Sequence, residues 1–374
     1  MTKPSNGARE GRLRLRPIFF ISLALAGVAL LVHLLCMKNA ALADFFVTHV
    51  SPWLRKPLGY LTALFPFSIA EAFIITSPAL LVLLIFFARR AVKDPRRASR
   101  MLSGLLTVPF LLYTLFVLSF GVGYYATPLA DRLSFAEREP NAENLSALAV
   151  LLAERADACA LDMGITVEQG GSVMPFSYAD LNQKLIAAYD KVEEKHGILS
   201  NFKVGTKPIA LSDPMAYTHI TGVYTYITGV YTFMTGEMNV CTAYPDFSTV
   251  FTAAHEMAHA RGISREDEAN FIAFLVCEAS EDPYVRYAGY MNLLQYVMNA
   301  LYKTDPALYK TAYMTYSDAV LSELRAYNTA VKKYSGSFAS EIAGSINNAY
   351  LESMGTGGSI SYDLVVRLAV RYFN

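Results

Sequence analysis

Three long apolar stretches, Ile18 to Met37, Ala70 to Ala88 and Met101 to Tyr125, constrain this chain more than any other feature. Each is long enough, as a helix, to cross a hydrocarbon core about 30 Å thick. In a bilayer every backbone polar group must be satisfied within its own segment, so these stretches predict three transmembrane helices. The first also has some character of a signal peptide. Its apolar run is longer than such a segment needs, however, and no small-x-small cleavage site follows it. The hydrophobic content of 53% is high for an ordinary soluble protein, with the excess concentrated in these stretches, and the formal net charge of zero gives no bias towards nucleic acid.

Flanking charge predicts the orientation. Lys3, Arg9, Arg12, Arg14 and Arg16 precede the first stretch, and Arg89, Arg90, Lys93, Arg96, Arg97 and Arg100 lie between the second and third. Both groups belong on the cytoplasmic side. The other connection carries only Lys38, Arg55 and Lys56, beside a Trp53-bearing amphipathic segment suited to the membrane interface. Residues 1–126 therefore form a membrane region with a cytoplasmic N-terminus, and residues 127–374 form an extracytoplasmic domain large enough for its own core.

Within that domain runs Ala254-His255-Glu256-Met257-Ala258-His259-Ala260-Arg261-Gly262, which contains H-E-x-x-H. On a helix, residues four apart share a face, so His255 and His259 can offer two imidazole nitrogens to one Zn²⁺. Glu256 sits beside that ion, placed to take a proton from a water the metal acidifies and to pass it to a leaving amine. The five-letter motif alone also occurs on ordinary helix surfaces. Here its flanks are small or apolar, and charged Arg261, Arg265, Glu266 and Asp267 follow directly, which keeps the motif out of the bilayer.

A tetrahedral ion needs a third protein ligand. Gly262 is suited to end the first helix, and Ser264 with Asp267 reads as a capping box opening a second, so the chain reverses after His259. Glu266 is then the expected third ligand. Glu268 lies about 200° further round the helix and is the alternative. Asn270, one turn beyond Glu266, is placed to hydrogen-bond a ligand imidazole from behind.

Elsewhere Asn144 to Leu161 and Tyr178 to His196 have helical apolar spacing, and Asn201 to Pro214 reads as a loop. Asp282-Pro283 and Asp305-Pro306 each open a helix, the second running to about Tyr334. Gly355 to Gly358 reads as a turn before a last helix over Tyr362 to Tyr372. Tyr217 to Val223, Tyr224 to Val230 and Tyr231 to Glu237 repeat Tyr-Thr-x-x-Thr-Gly-x, a β-prone composition. It reads either as a hairpin or meander with a local duplication, or as an edge strand, Val230 to Val240, that a peptide could extend. His33, His49 and His196 read as packing, interface and helix-end residues. His219, Tyr231, Tyr287 and Arg286 are candidates for stabilising an oxyanion. Cys159, Cys241 and Cys277 allow at most one disulfide.

The run from Thr235-Gly236-Glu237-Met238-Asn239-Val240 through H-E-x-x-H to Glu266-Asp267-Glu268-Ala269-Asn270-Phe271 resembles a bacterial family of membrane-anchored H-E-x-x-H proteins known only as a domain of unknown function. Val285 to Tyr290 and Ala349 to Gly355 extend the likeness. More distantly, H-E-x-x-H with E-x-x-A-N is similar to the gluzincin peptidases. That resemblance implies a zincin-like, mostly α-helical (α+β) domain with a small β element before the H-E-x-x-H helix. It also supports Glu266 and Asn270 in the roles above. Gluzincins set a strand over the cleft, which makes Gly236, Glu237, Met238 and Asn239 candidate substrate contacts. The expected function is a membrane-anchored zinc metallopeptidase with one Zn²⁺ and a peptide or protein substrate. The alternatives are a non-catalytic, zinc-stabilised sensor or envelope scaffold, and a hydrolase of a non-peptide envelope polymer.

Overall fold

The computed structural model describes residues 15–164, 171–209, 228–334 and 361–373, with isolated positions between 345 and 354. The chain is mostly helical. Helices α1 (Pro17–Cys36), α4 (Ile69–Ala91) and α5 (Pro95–Ser119) are long and apolar enough to cross a membrane. The third begins earlier than its apolar run because Asp94 caps it, accepting a hydrogen bond from the Arg96 amide, and Pro95 fits the first helical position. It ends at Ser119, where the chain tightens into a 3-10 turn over Gly121–Tyr125.

Between α1 and α4 lie α2 (Ala40–Phe45), a π-helical turn (Phe46–Val50) and α3 (Ser51–Thr62). Ser51, Arg55, Gly59 and Thr62, at helical spacing, form a buried face of α3, while Trp53, Tyr60 and Leu61 are exposed. The small buried residues let α3 approach the rest of the chain closely. Gly59 lies against Phe202 and Gly236, and Thr62 Oγ1 donates to the Thr235 carbonyl at 3.1 Å.

The remaining chain forms α6 (Leu129–Arg132), α7 (Ala142–Met163), α8 (Tyr178–His196), a small sheet, then α9 (Asp246–Ala260), α10 (Glu266–Ala279), α11 (Pro283–Thr304), α12 (Pro306–Tyr313), α13 (Asp318–Tyr334) and α14 (Ser361–Tyr372). Its ends follow sequence signals. Asn141 and Ser177 make capping boxes, and Asp282 and Asp305 cap α11 and α12. The single helix expected from Pro306 to Tyr334 is broken after Tyr313, and the Ser317 hydroxyl accepts the Val320 amide at the new start. One core joins α7, α8, α9, α10, α11 and α14, with α9 between the sheet and α10 and α11. All four cysteines are free and buried, so the possible disulfide is absent.

The sheet has the order β1–β3–β2. Strand β1 (Lys207–Pro208) is parallel to β3 (Glu237–Val240), and β2 (Gly229–Thr232) is antiparallel to it. The third copy of the repeat, Tyr231 to Glu237, thus spans the turn of the β2–β3 hairpin, with Gly236 at φ +69°. The first copy and most of the second, with His219, lie outside the described residues, as does the Gly355 to Gly358 turn.

One expectation is corrected here. Among the described residues strand β3 is central, flanked by β1 and β2, and every residue of it is buried, so Glu237, Met238 and Asn239 offer no open edge. Gly236 packs on Gly59. The Glu237 carboxylate instead accepts hydrogen bonds from the first amides of α4, Ile69 at 2.9 Å and Ala70 at 2.8 Å, and pairs with Lys207 Nζ at 2.7 Å. A carboxylate at a helix N-terminus meets unpaired donors and the positive end of the helix dipole. Burial raises the Glu237 pKa, but Lys207 and the two amides outweigh it and hold the group below the usual glutamate range. A depressed folded pKa means stability that is complete above the unfolded value and lost as pH falls through the folded one. Glu237→Gln is therefore expected to cost about 2 kcal/mol at pH 7. The difference should shrink below pH of about 4, as read by thermal unfolding of the full-length protein in detergent.

Candidate metal centre

Helix α9 is buried on nearly every side, because it packs against the sheet on one flank and two helices on the other. His255 and His259 project from it together, their Nε2 atoms 3.0 Å apart. The chain then turns through Gly262, at φ +109°, and Glu266 opens α10 facing them. Its carboxylate oxygens lie 3.2 Å from His255 Nε2 and 3.5 Å from His259 Nε2. Ligand bonds of about 2.0–2.1 Å at tetrahedral angles put neighbouring donors about 3.3 Å apart. Two imidazole nitrogens and a carboxylate at 3.0 to 3.5 Å fit such an ion.

The turn also orients a ligand. His259 Nδ1 lies 2.7 Å from the Ile263 carbonyl, which can only accept, so this nitrogen donates and Nε2 is the ring nitrogen left facing His255 and Glu266. Burial lowers the His259 pKa, but Glu266 outweighs it and brings the imidazole up to about 9. Burial raises the Glu266 pKa, and the two histidines reverse that and hold it well below the usual range. The cluster is thus electrostatically suited to a cation.

Glu256, 4% exposed, lies behind the trio under β2. The Tyr231 amide donates to its carboxylate, and Oε2 has no partner among the described residues. Burial pushes its pKa up, with both histidines pulling the other way. Gly229 makes room for it, since a Cβ there would stand 2.5 Å from Oε1. The arrangement supplies a desolvated carboxylate, raised in basicity, beside three converging donors. Such a group can accept and return a proton.

Other expected residues fall elsewhere. Glu268 accepts the Leu129 amide at 2.9 Å and lies 3.5 Å from Arg265, away from the trio. Asn270 Oδ1 accepts from the Tyr296 hydroxyl at 3.3 Å, and the Ile263 carbonyl takes the orienting role expected of it. Ser264 is no cap: its hydroxyl donates to the Phe120 carbonyl at 2.8 Å, and Arg265 precedes α10 with no side-chain cap. Tyr287 is wholly buried in the core, and Arg286 donates to the Ser280 and Glu281 carbonyls. Of the described oxyanion candidates only Tyr231 adjoins the centre.

Two contributors from the membrane region escape the motif. The Phe120 ring, one residue past α5, lies 5.6 Å from that of His259 and 5.5 Å from that of Tyr231. Arg55 is buried against Gly262, with Nη1 donating to the Ser119 carbonyl at 3.3 Å. The helical spacing of Ser51, Arg55, Gly59 and Thr62 was the available signal, a stripe too small and polar to face lipid.

Glu266, the expected third donor, faces the histidines, and Glu268, the alternative, does not. Glu266→Ala should reduce zinc affinity by more than the roughly 10–100-fold typical of losing an outer hydrogen-bond partner. Glu268→Ala should leave it unchanged, with zinc per chain read by elemental analysis. No curated protein and no solved structure matches the chain. Residues 46–370, spanning the connection after α1, the other two apolar helices and the centre itself, match the family described as Protein of unknown function (DUF3810), and the chain belongs to that family.

Proposed function

We propose that this protein is a membrane-anchored zinc metallopeptidase of gluzincin-like character. His255, His259 and Glu266 hold one zinc ion, and Glu256 acts first as general base and then as general acid. The observation that carries the reading is the convergence of three donors in front of a buried carboxylate that coordinates nothing. Bound zinc supplies Lewis-acid chemistry, acidifying water and polarising a carbonyl. Glu256 would take the proton from the attacking water and deliver it to the leaving amine, its burial favouring proton uptake. Phe120 walls one side of His259 and limits water there. β2, an outer strand among the described residues and the one beside Glu256, would offer main-chain groups to an extended substrate.

The flanking charges put the N-terminus and the α4–α5 link in the cytoplasm, so the centre works outside the membrane. Phe120 follows directly on α5 and touches a proposed ligand, which sets the centre close to the bilayer surface. Peptide segments held near that surface are the substrates this position favours. A zinc that only stapled helices would normally take a fourth protein ligand. Among the described residues three donors converge.

Glu256→Gln in the full-length protein should retain zinc and lose about 10²–10⁴-fold in peptide cleavage. Cleavage unchanged in that variant would sink the assignment of the base, and zinc without cleavage in the wild type would favour the scaffold. Gly229→Ala should also keep its zinc. By pushing the carboxylate aside it should lower kcat by up to about 10²-fold, the scale of a 1 Å misplacement.

A further inference from the structure

A second site lies where α3 meets the globular part. A cavity of about 540 Å³ opens between Trp53, Lys56 and Tyr60 of α3 and the segment after α8, with Arg132 and Arg261 also lining it. The lining contains three cations and no carboxylate. Three acids outside the lining act on these cations: Glu193 on Lys56 and Arg132, Glu268 on Arg132, and Asp190 on Arg261, with Glu193 also accepting the Leu199 amide. Arg132 donates to the Ile198 carbonyl, and Arg261 donates to the carbonyls of Met257 and Phe202. Both guanidiniums are thus held in place by neutral acceptors. Lys56 has no hydrogen bond or ion pair among the described residues.

The outer rim is apolar and belongs to the face of α3 turned from the protein. Trp53 is 80% exposed, and Leu61 and Leu64 continue the exposed stripe towards α4, which begins at Ile69. A tryptophan and a tyrosine lining a cationic cavity, with exposed leucines just beyond them in the chain and a membrane-crossing helix a few residues further, match the interfacial layer of a bilayer. Fixed arginines beside a free lysine match a phosphate.

We propose that this cavity binds the phosphate headgroup of an anionic phospholipid, with Lys56 and Arg132 on the phosphate and the acyl chains leaving along Trp53 and Leu61. The site rests on the membrane placement given above and is independent of peptide hydrolysis. The charge complementarity argues for an anionic lipid over a zwitterionic one, and the apolar rim argues for a lipid over a free phosphate.

The test is native mass spectrometry of the full-length protein from mixed micelles holding equal phosphatidylglycerol and phosphatidylcholine. The wild type should retain one phosphatidylglycerol in preference. Lys56→Gln should lower that preference at least about fivefold, and Lys56→Arg should restore it. Unchanged melting temperature and zinc content in these variants would show that the fold and the metal centre are intact. Equal retention of both lipids, or Lys56→Gln behaving as wild type, overturns the proposal. So does an equal loss in Lys38→Gln, at the end of α1 and outside the cavity, since general charge attraction would then explain the preference. Displacement of the lipid by millimolar inorganic phosphate would assign the cavity to a free anion instead.

Discussion

The hydrogen bond between His259 and the Ile263 carbonyl, 2.7 Å long, ties the end of α9 to the turn that follows it. That turn does three jobs within six residues. Gly262 takes a positive φ and reverses the chain, Ile263 orients the ring of His259, and Ser264 reaches the carbonyl of Phe120 at the end of α5. Glu266 then arrives opposite the histidines because α10 starts immediately afterwards. A side chain at Gly262 would meet a strained backbone and the Arg55 guanidinium together. The position of the third donor thus depends on a residue that has no side chain at all.

The same turn explains why the apolar helices are more than a leash. Arg55 from α3, Ser119 and Phe120 from the end of α5, and Gly123 from the 3-10 turn all pack against it or against one another. Glu237 joins the central strand to the first turn of α4. A flexible tether would leave Arg55 in water. Its burial, with only one guanidinium nitrogen bonded among the described residues, is a cost that rigid packing must offset. Loosening α5 would be felt at the His259 ring through Phe120.

Much of this was legible in the sequence where a local rule applied. The i,i+4 histidines, the glycine break, Glu266 over Glu268 and the Asp-Pro helix starts all follow from helical geometry and capping chemistry. The failures came where a long-range partner competed for the same group. Ser264 and Asp267 have the spacing of a capping box, yet the Phe120 carbonyl, which also accepts the Gly123 amide at 3.0 Å, claims the hydroxyl. Asn270 is one turn from Glu266, yet Tyr296 takes its carbonyl. Glu237 sits in a strand that composition alone could not rank as edge or centre, and only the pairing with β1, distant in sequence, decides it. Arg55 looked like one charge of a polar connection because the surface it meets lies about 200 residues away.

The environment of Glu256 bears on whether a metal there works or merely holds. A carboxylate buried to 4% exposure, with one oxygen unbonded among the described residues, is disfavoured relative to an apolar side chain of the same volume. A centre that only joined α9 to α10 would gain by filling that space with a leucine or methionine. Instead β2 carries Gly229, whose missing side chain admits the carboxylate, and Tyr231, whose amide steadies it. Two strand positions and one helix position are thus arranged around a group that weakens the fold. Burial raises the pKa of that carboxylate, which makes it a better proton acceptor than a solvated glutamate. This is why the arrangement argues for hydrolysis more strongly than the three metal donors do by themselves.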